Sequence, residues 1–189
     1  RFSVATAVRI AGHLAEFDPM FFETPVNSLD TSATVEVARA SQVPVASGER
    51  FDRLDQFSRI LESKRISIVQ PEAMHLGISG TKKACAIAEA HDALVACHQA
   101  QSPFCTAVNT AIHASIPNFL IQENFDDGAE AWTWDLLQGV PRVEDGYIAV
   151  SDEPGIGVQL NEAEVAKHPY GPTNFLRLFE EGWETRKPG

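Results

Sequence analysis

The chain carries at residues 43–50 the segment Val43-Pro44-Val45-Ala46-Ser47-Gly48-Glu49-Arg50. This segment predicts a short apolar strand that ends in small residues and is followed by a carboxylate and a guanidinium. A strand without alternating polar residues is buried on both faces, as in a parallel sheet that helices cover. Gly48 lets the backbone turn at the end of the strand, so that Glu49 points out of the core. The segment therefore indicates an α/β fold with an ionisable group at a strand end.

The same plan recurs along the chain. Apolar segments end in an ionisable side chain at five places, which are Glu23, Glu49, Glu72, His98 and Glu123. The intervals between these residues are 26, 23, 26 and 25 positions. Between the apolar segments the sequence has the apolar spacing of helices, with Asp30, Asp52 and Ser102-Pro103 as candidate N-terminal caps. Strands that alternate with helices predict parallel βαβ units, so residues 1–125 are interpreted as about five strands with their helices.

Two parts of the chain depart from this plan. Gly77 and Gly80 predict a loop between the third strand and its helix. Residues 126–189 form a second, irregular segment, in which an Asp145-Gly146 turn, a short strand at 147–150 and a short helix near 162–167 are expected.

Composition and charge limit the classes of function. With 189 residues, of which 44% are hydrophobic, the chain is long enough for a core, and since it has no run of 18 apolar residues we expect no membrane span. A formal net charge of −11 argues against nucleic-acid binding, which needs a basic face. The three cysteines, Cys85, Cys97 and Cys105, lack the spacing of a metal site, so we expect reduced thiols and a cytoplasmic location.

The positions of the five ionisable groups predict a shared site. In parallel α/β folds the active site lies at the carboxyl ends of the strands, and in a (β/α)8 barrel all these ends face one mouth. Four carboxylates in one mouth repel each other unless a cation or a proton is bound. Oxygen ligands from separate strands suit Mg²⁺, which also keeps water and substrate oxygens as ligands. The pattern therefore predicts an Mg²⁺ cofactor.

Short motifs at these strand ends resemble those of a known family. They are Phe22-Glu23-Thr24-Pro25, residues 44–50, Gln70-Pro71-Glu72 with Gly77, His98 after an apolar strand, Ile121-Gln122-Glu123, Asp145-Gly146 and Pro154-Gly155-Ile156-Gly157. In this order they are similar to the enolase superfamily, specifically to the mandelate racemase/muconate-lactonizing group and its acid-sugar dehydratases of the galactonate and mannonate type. The resemblance implies the C-terminal portion of a (β/α)8-type barrel, followed by an irregular C-terminal segment.

The resemblance also implies roles for the strand-end residues. Glu23 and Glu49 are implied to be Mg²⁺ ligands. His98 is implied to be the general acid/base, paired with Glu72. Glu123 is implied to hydrogen-bond the substrate carboxylate. Arg50, Gln70 and His75 are the candidate substrate-binding residues beside them.

Three departures from the family pattern accompany the resemblance. Thr24 stands where the family has Glu, Glu72 stands where Asp is usual, and no Asp matches the metal ligand of the preceding strand. We therefore expect this chain to be the C-terminal part of a longer enzyme that also has an N-terminal capping domain. The segment 126–189 is expected to pack back on the barrel and the capping domain, and a homo-oligomer is expected.

The function that follows from the resemblance is an Mg²⁺-dependent acid-sugar dehydratase. Abstracting the weakly acidic proton α to a carboxylate needs a metal, hydrogen-bond donors and a base that titrates near neutrality. Eliminating water then converts an aldonate into a 2-keto-3-deoxy acid. The alternatives are a racemase, epimerase or cycloisomerase of the same superfamily, and a catalytically incomplete fragment. A phosphate site at Gly77-Ile78-Ser79-Gly80 is a further reading, but this loop lacks P-loop spacing.

Overall fold

The computed structural model describes residues 2–126, 131–140 and 142–171. The remaining positions of the predicted C-terminal segment, 127–130, 141 and 172–189, lie outside the described residues. The described residues contain five longer helices, which are α1 (Val4–Leu14), α2 (Thr31–Ala40), α3 (Leu54–Glu62), α4 (Ala73–Ala90) and α5 (Pro103–His113). Ser3 and Asp30 cap the first two, because their side chains accept backbone N–H groups of the first turn.

A parallel sheet organises the first part of the chain. Its strands are β1 (Phe22–Glu23), β2 (Val45–Ser47), β3 (Ile68–Val69) and β4 (Leu94–Val95). They lie in the order β1-β2-β3-β4, and each pairs with the next in parallel. Neighbours in the sheet are therefore neighbours in the chain, and each connection contains a helix. This topology agrees with successive strands of a (β/α)8-type barrel.

Small and medium apolar side chains fill one face of the sheet. Ala46, Ile68 and Ala96 form a buried cluster from three consecutive strands, and Phe21 and Leu120 pack against it. On the helical layer, α3 contacts α4 and buries the large side chains of Phe57, Ile60 and Leu61. Every residue of β2 and β3 is buried, which explains why these two strand segments lack polar alternation.

Gly48 makes the turn after β2. Its φ is 120°, and a Cβ atom there would lie 3.0 Å from the ring of Phe57. Phe57 in turn packs edge-to-face on Phe51, with ring centroids 5.1 Å apart. Only glycine satisfies both the backbone conformation and this close approach. Glu49 follows this turn, and its carboxylate accepts the hydroxyl of Thr24, which follows the neighbouring strand β1.

Three local predictions need correction. The fifth expected strand is reduced to one bridge, between Val95 and Phe119. Asp52 is not the cap of α3, since the helix starts after Arg53 and Gln56 accepts the N–H groups that precede it. The predicted loop at Gly77 and Gly80 is part of α4, which is kinked at Gly77, where φ is 65° and ψ is 169°.

The described residues divide into two compact units. The first consists of residues 2–99 and 108–123 and contains the parallel sheet. The second holds residues 100–107 and the described residues from 124 onward. The predicted boundary at residue 125 stays a prediction.

The second unit is built from short elements. A two-stranded antiparallel sheet joins β5 (Leu137–Gln138) to β8 (Gln159–Leu160), and a hairpin joins β6 (Val143–Glu144) to β7 (Tyr147–Ile148). The hairpin turns at Asp145-Gly146, where both residues have positive φ, as the sequence predicts. Asn161 caps the short helix α6 (Glu162–Val165). Within the part of the chain that the structure describes, no helix has both the length and the apolar character needed to cross a membrane.

Candidate active site

The predicted site residues of the first unit lie at, or shortly after, the carboxyl ends of the parallel strands. Glu23 is the last residue of β1. Glu49 follows β2, Glu72 follows β3 and His98 follows β4. Glu123 comes after the bridge at Phe119, beside β4. The parallel topology thus brings residues that are far apart in sequence to one edge of the sheet.

The centre of this edge is a histidine–carboxylate pair. His98 Nδ1 lies 2.6 Å from Glu72 Oε2, and the side chains of His98 and Glu72 are 19% and 1% exposed. The other oxygen of Glu72 accepts the N–H of Met74 and thereby caps α4. Because a carboxylate accepts hydrogen bonds, the short contact assigns the proton to Nδ1. In neutral His98 the lone pair is therefore on Nε2.

The pKa of His98 reflects two opposed effects. Burial lowers it, because a charged imidazolium loses hydration. The hydrogen bond to Glu72 raises it, as do the negative charges of Glu123, Glu72 and Glu23. The carboxylates outweigh burial, so the pKa of His98 lies above its ordinary value. The imidazole of His98 is therefore protonated more readily in this site than a free imidazole is in water.

The pKa of Glu123, which lies in the same environment, is also raised. Its Oε2 accepts the N–H of Gln99 at 2.7 Å. Burial raises the pKa of Glu123, and the charges of Glu23 and Glu72 add to this rise. The Gln99 N–H and His98 oppose the shift without cancelling it. Glu123 is therefore more easily protonated than an exposed glutamate, which suits a hydrogen-bond donor to an anionic ligand.

Three of the predicted residues converge closely. Glu23, His98 and Glu123 each offer a ligand atom, and these atoms lie within 4.8 Å of one another. Glu49 is not a member of this group. Glu23 is exposed, and the other two are partly buried. The arrangement places an imidazole and two carboxylates around one point at the strand ends.

Glu49 has its own polar contact next to β1. It is 7% exposed, and its Oε2 accepts the hydroxyl of Thr24 at 2.8 Å. Thr24 follows Glu23 directly and has a φ of 41°, a left-handed backbone conformation that is uncommon for this residue type. The two glutamates end neighbouring strands and offer hard oxygen ligands. This donor set fits Mg²⁺, which binds one or two protein carboxylates together with water and ligand oxygens.

The three candidate substrate-binding residues differ in their placement. Arg50 is exposed after Glu49, and His75 is exposed in the first turn of α4. Gln70 is 1% exposed, and its Oε1 accepts no hydrogen bond from the described residues. A buried amide oxygen without a protein donor can accept from water or from a ligand. No role in substrate binding follows from placement alone, so these three assignments stay predictions.

Three contacts that support the site residues were not predicted from the sequence. Thr24 donates to Glu49, the backbone of Gln99 donates to Glu123, and the Asn109 side chain donates to the carbonyl oxygen of His98 at 3.2 Å. Of these residues only Asn109 left a signal, as a polar residue on the buried side of α5, where Thr106, Thr110 and His113 are also buried. The other two contacts depend on strand register.

A parallel α/β sheet with carboxylates and one histidine at its strand ends defines a class, the barrel-type domains that hold their active site at the carboxyl ends of the strands. The family model of the enolase C-terminal domain-like family matches residues 1–164. The chain belongs to this family. The recognition made from the strand-end motifs is thereby confirmed.

Individual relatives agree with this assignment. The chain is 33% identical over 184 residues to the D-gluconate/D-galactonate dehydratase of Picrophilus torridus, with 97% of this chain and 47% of that protein covered. Among solved structures, a mandelate racemase/muconate lactonizing enzyme from Jannaschia sp. CCS1 matches with a TM-score of 0.83 at 33% identity, covering 90% of this chain and 43% of that one.

A third relative contains ligands. The crystal structure of an enolase from Pantoea ananatis with bound D-gluconate and Mg matches with a TM-score of 0.81 at 28% identity, covering 89% of this chain and 41% of that one. In all three comparisons the chain spans somewhat less than half the length of the relative.

Proposed function

We propose that this chain carries the proton-transfer machinery of an Mg²⁺-dependent acid-sugar dehydratase. The observation that supports the proposal most directly is the 2.6 Å contact between His98 Nδ1 and Glu72 Oε2, beside Glu23 and Glu123. The names of relatives point to D-gluconate or D-galactonate as the class of substrate. The site residues of this chain have the chemistry that such a reaction needs.

His98 is the proposed general acid and base. Nε2 takes the proton from C2 of the aldonate, and the electrons of the broken C–H bond form the enediolate. Glu72 stabilises the imidazolium that results, because its carboxylate lies against Nδ1. The same proton then passes from Nε2 to the hydroxyl on C3, the C3–O bond breaks, and water leaves. The enol product tautomerises to the 2-keto-3-deoxy acid, so atoms and charge balance.

Two other groups act on the substrate carboxylate. Glu123, whose pKa is raised mainly by burial, donates a hydrogen bond to it when protonated. Glu23 and Glu49 would hold Mg²⁺, which supplies positive charge next to the oxygens that become more negative in the enediolate. Arg50, His75 and the buried amide of Gln70 are proposed to contact the polyol chain.

Exchange of the C2 proton is the direct test. The protein is incubated with Mg²⁺ and D-gluconate or D-galactonate in D₂O, and both deuterium incorporation and the 2-keto-3-deoxy acid are followed by NMR. We expect exchange and product, and a loss of about 10²–10⁴-fold in His98→Asn, the usual contribution of a general acid/base. His91→Asn is the matched control, because His91 is exposed at the end of α4.

The outcomes separate the alternatives. Exchange with inversion at C2 and no loss of water would favour a racemase or epimerase. The racemase/lactonizing enzyme name of a structural relative is the reason to test for this alternative. Absence of both exchange and product at saturating Mg²⁺ would reject the proposal for this chain and favour a catalytically incomplete fragment. A homo-oligomer, a capping domain and a cytoplasmic location stay predictions.

A further inference from the structure

We propose that His113 is a positioning residue that sets the distance between His98 and Glu123. It is the last residue of α5 and is 6% exposed, so its effect on a substrate passes through other residues. Its two ring nitrogens contact Cys97 and Gln122, which directly precede the two site residues in the chain. The inference rests on the proposed function, because that function assigns His98 and Glu123 to the same substrate.

The hydrogen bonds of His113 fix the orientation of its ring. Nε2 accepts the backbone N–H of Cys97 at 3.3 Å, which leaves the ring proton on Nδ1. Nδ1 therefore donates to Oε1 of Gln122 at 2.9 Å. One buried imidazole thus joins the segment after β4, which carries His98, to the segment that leads to Glu123.

Two neighbours on the buried side of α5 hold the same two segments. Asn109 lies one helical turn before His113, and its side chain donates to the carbonyl oxygen of His98 at 3.2 Å. The side-chain amide of Gln122 donates to the hydroxyl of Thr110 at 3.1 Å. Asn109 is fully buried and Thr110 is 9% exposed. These polar contacts connect both segments to one helix, and the helix thereby fixes their separation.

The proposed reaction depends on this separation. His98 takes the proton at C2 while Glu123 donates to the adjacent carboxylate, so both must reach one substrate at the same time. A displacement of about 1 Å in such an arrangement costs on the order of 100-fold in rate. It lowers kcat more than it raises KM, because the hydrogen bond from Glu123 strengthens as the enediolate forms. A loss of stability alone lowers only the fraction of folded protein, which circular dichroism measures.

Two variants break the link from opposite sides. His113→Phe removes both ring contacts, and Gln122→Met removes the acceptor of Nδ1 with little change in volume. In each folded variant we expect kcat for C2-proton exchange to fall about 10- to 100-fold and KM to change by less than about threefold. His113→Asn keeps a donor near the position of Nδ1, so it should lose less activity than His113→Phe. The destabilising control Val37→Ala, buried in α2, should change neither constant.

A measurement that needs no activity separates failure of this inference from failure of the proposed function. NMR of metal-free protein labelled with nitrogen-15 histidine observes the ring nitrogens of His98, whose Nδ1 signal reports the contact with Glu72. His113→Phe and Gln122→Met should shift these signals, and Val37→Ala should not. If the unsubstituted protein neither exchanges nor eliminates, the proposed function fails and these signals alone decide the inference.

Two results would overturn the inference. One is a set of His98 ring signals that neither variant changes. The other, in an active protein, is an unchanged kcat in both variants while circular dichroism shows them folded. If His113→Phe does not fold, Gln122→Met decides by the same two criteria.

Discussion

Two histidines of the first unit differ sharply although both are largely buried. His98 at the strand ends contacts the carboxylate of Glu72, and its pKa is raised. His113 on α5 is 6% exposed, and its Nδ1 lies 2.9 Å from the amide oxygen of Gln122. Burial lowers the pKa of His113, and the hydrogen bond to Gln122 offsets only part of that effect. The charge of the partner, and not burial, thus decides the direction of the shift.

The contacts of His113 explain why it stays neutral. Nδ1 donates to Gln122, while Nε2 accepts the backbone N–H of Cys97 at 3.3 Å. A second ring proton would lie on Nε2 and would therefore point at the Cys97 N–H, which is itself a donor. The ring also packs against Phe119, with centroids 4.6 Å apart. Cys97 directly precedes His98 in the chain. The imidazole of His113 therefore supports the backbone that positions the imidazole of His98.

Replacing the charged partner by an amide should change the site most. In Glu72→Gln the hydrogen-bond partner of His98 is an amide, as it is at His113, so the pKa of His98 should fall in the metal-free protein. We expect C2-proton exchange to fall on the order of 100-fold, because a less basic imidazole is a poorer acceptor of the proton. NMR titration of the ring protons and the exchange assay measure the two effects.

The matched variant is Gln122→Glu, which gives His113 a carboxylate. It should raise the pKa of His113. A fall in the pKa of His113 with Gln122→Glu, or no change in the pKa of His98 with Glu72→Gln, would show that the comparison is wrong.

Removing the hydrogen bonds of His113 should come next in size. His113→Phe keeps an aromatic ring against Phe119 but removes the two hydrogen bonds of the buried imidazole, to Cys97 and to Gln122. We expect a loss of about 2 kcal/mol in the free energy of unfolding, since each such bond contributes about 1 kcal/mol. Urea unfolding measures it. The control His13→Phe, on the exposed side of α1, should be nearly neutral; an equal loss there would remove the explanation.

The pH dependence of stability should have opposite signs at the two histidines. His113 has a lowered pKa, so below about pH 6.5 the unfolded chain takes up a proton that the folded chain does not, and stability falls. His98 has a raised pKa, so its contribution is present below about pH 6.5 and is lost as the pH rises through its folded value.

Each histidine changes the slope by at most about 1.4 kcal/mol per pH unit. His113→Gln should therefore reduce the acid-side loss of stability, and His98→Asn should reduce the acid-side gain. Urea unfolding at about pH 5.5 and about pH 8 with a chelator present, chosen to bracket the ordinary pKa, measures both slopes. Equal signs in the two variants would contradict the assigned pKa directions.

The positions of the strand-end residues could be predicted because apolar segments stop where the sheet ends. The strand-end position of Glu49 was predicted from the turn at Gly48, and the family assignment followed from the order of such motifs. The start of α4 was missed, since Gly77 and Gly80 both have low helix propensity. The helix tolerates them because Gly77 adopts a kinked conformation and Glu72 caps the first turn.

Contacts between strands could not be predicted from the periodicity of the sequence. The Thr24 hydroxyl reaches Glu49 because β1 and β2 pair in register, with Glu23 opposite Ala46. Which side chains meet across a sheet depends on register and twist, and a period of two does not encode them. The reduction of the fifth strand to a bridge at Phe119 is likewise a matter of pairing.

The two contacts of Glu72 limit which substitutions this protein can accept at that position. One oxygen accepts the Met74 N–H and the other contacts His98, so a single side chain starts a helix and orients an imidazole. A shorter acid has one methylene less with which to reach both partners, and an amide loses the charge. A mutagenesis library for altered substrate range should therefore keep this codon constant and vary the exposed positions Arg50 and His75 instead.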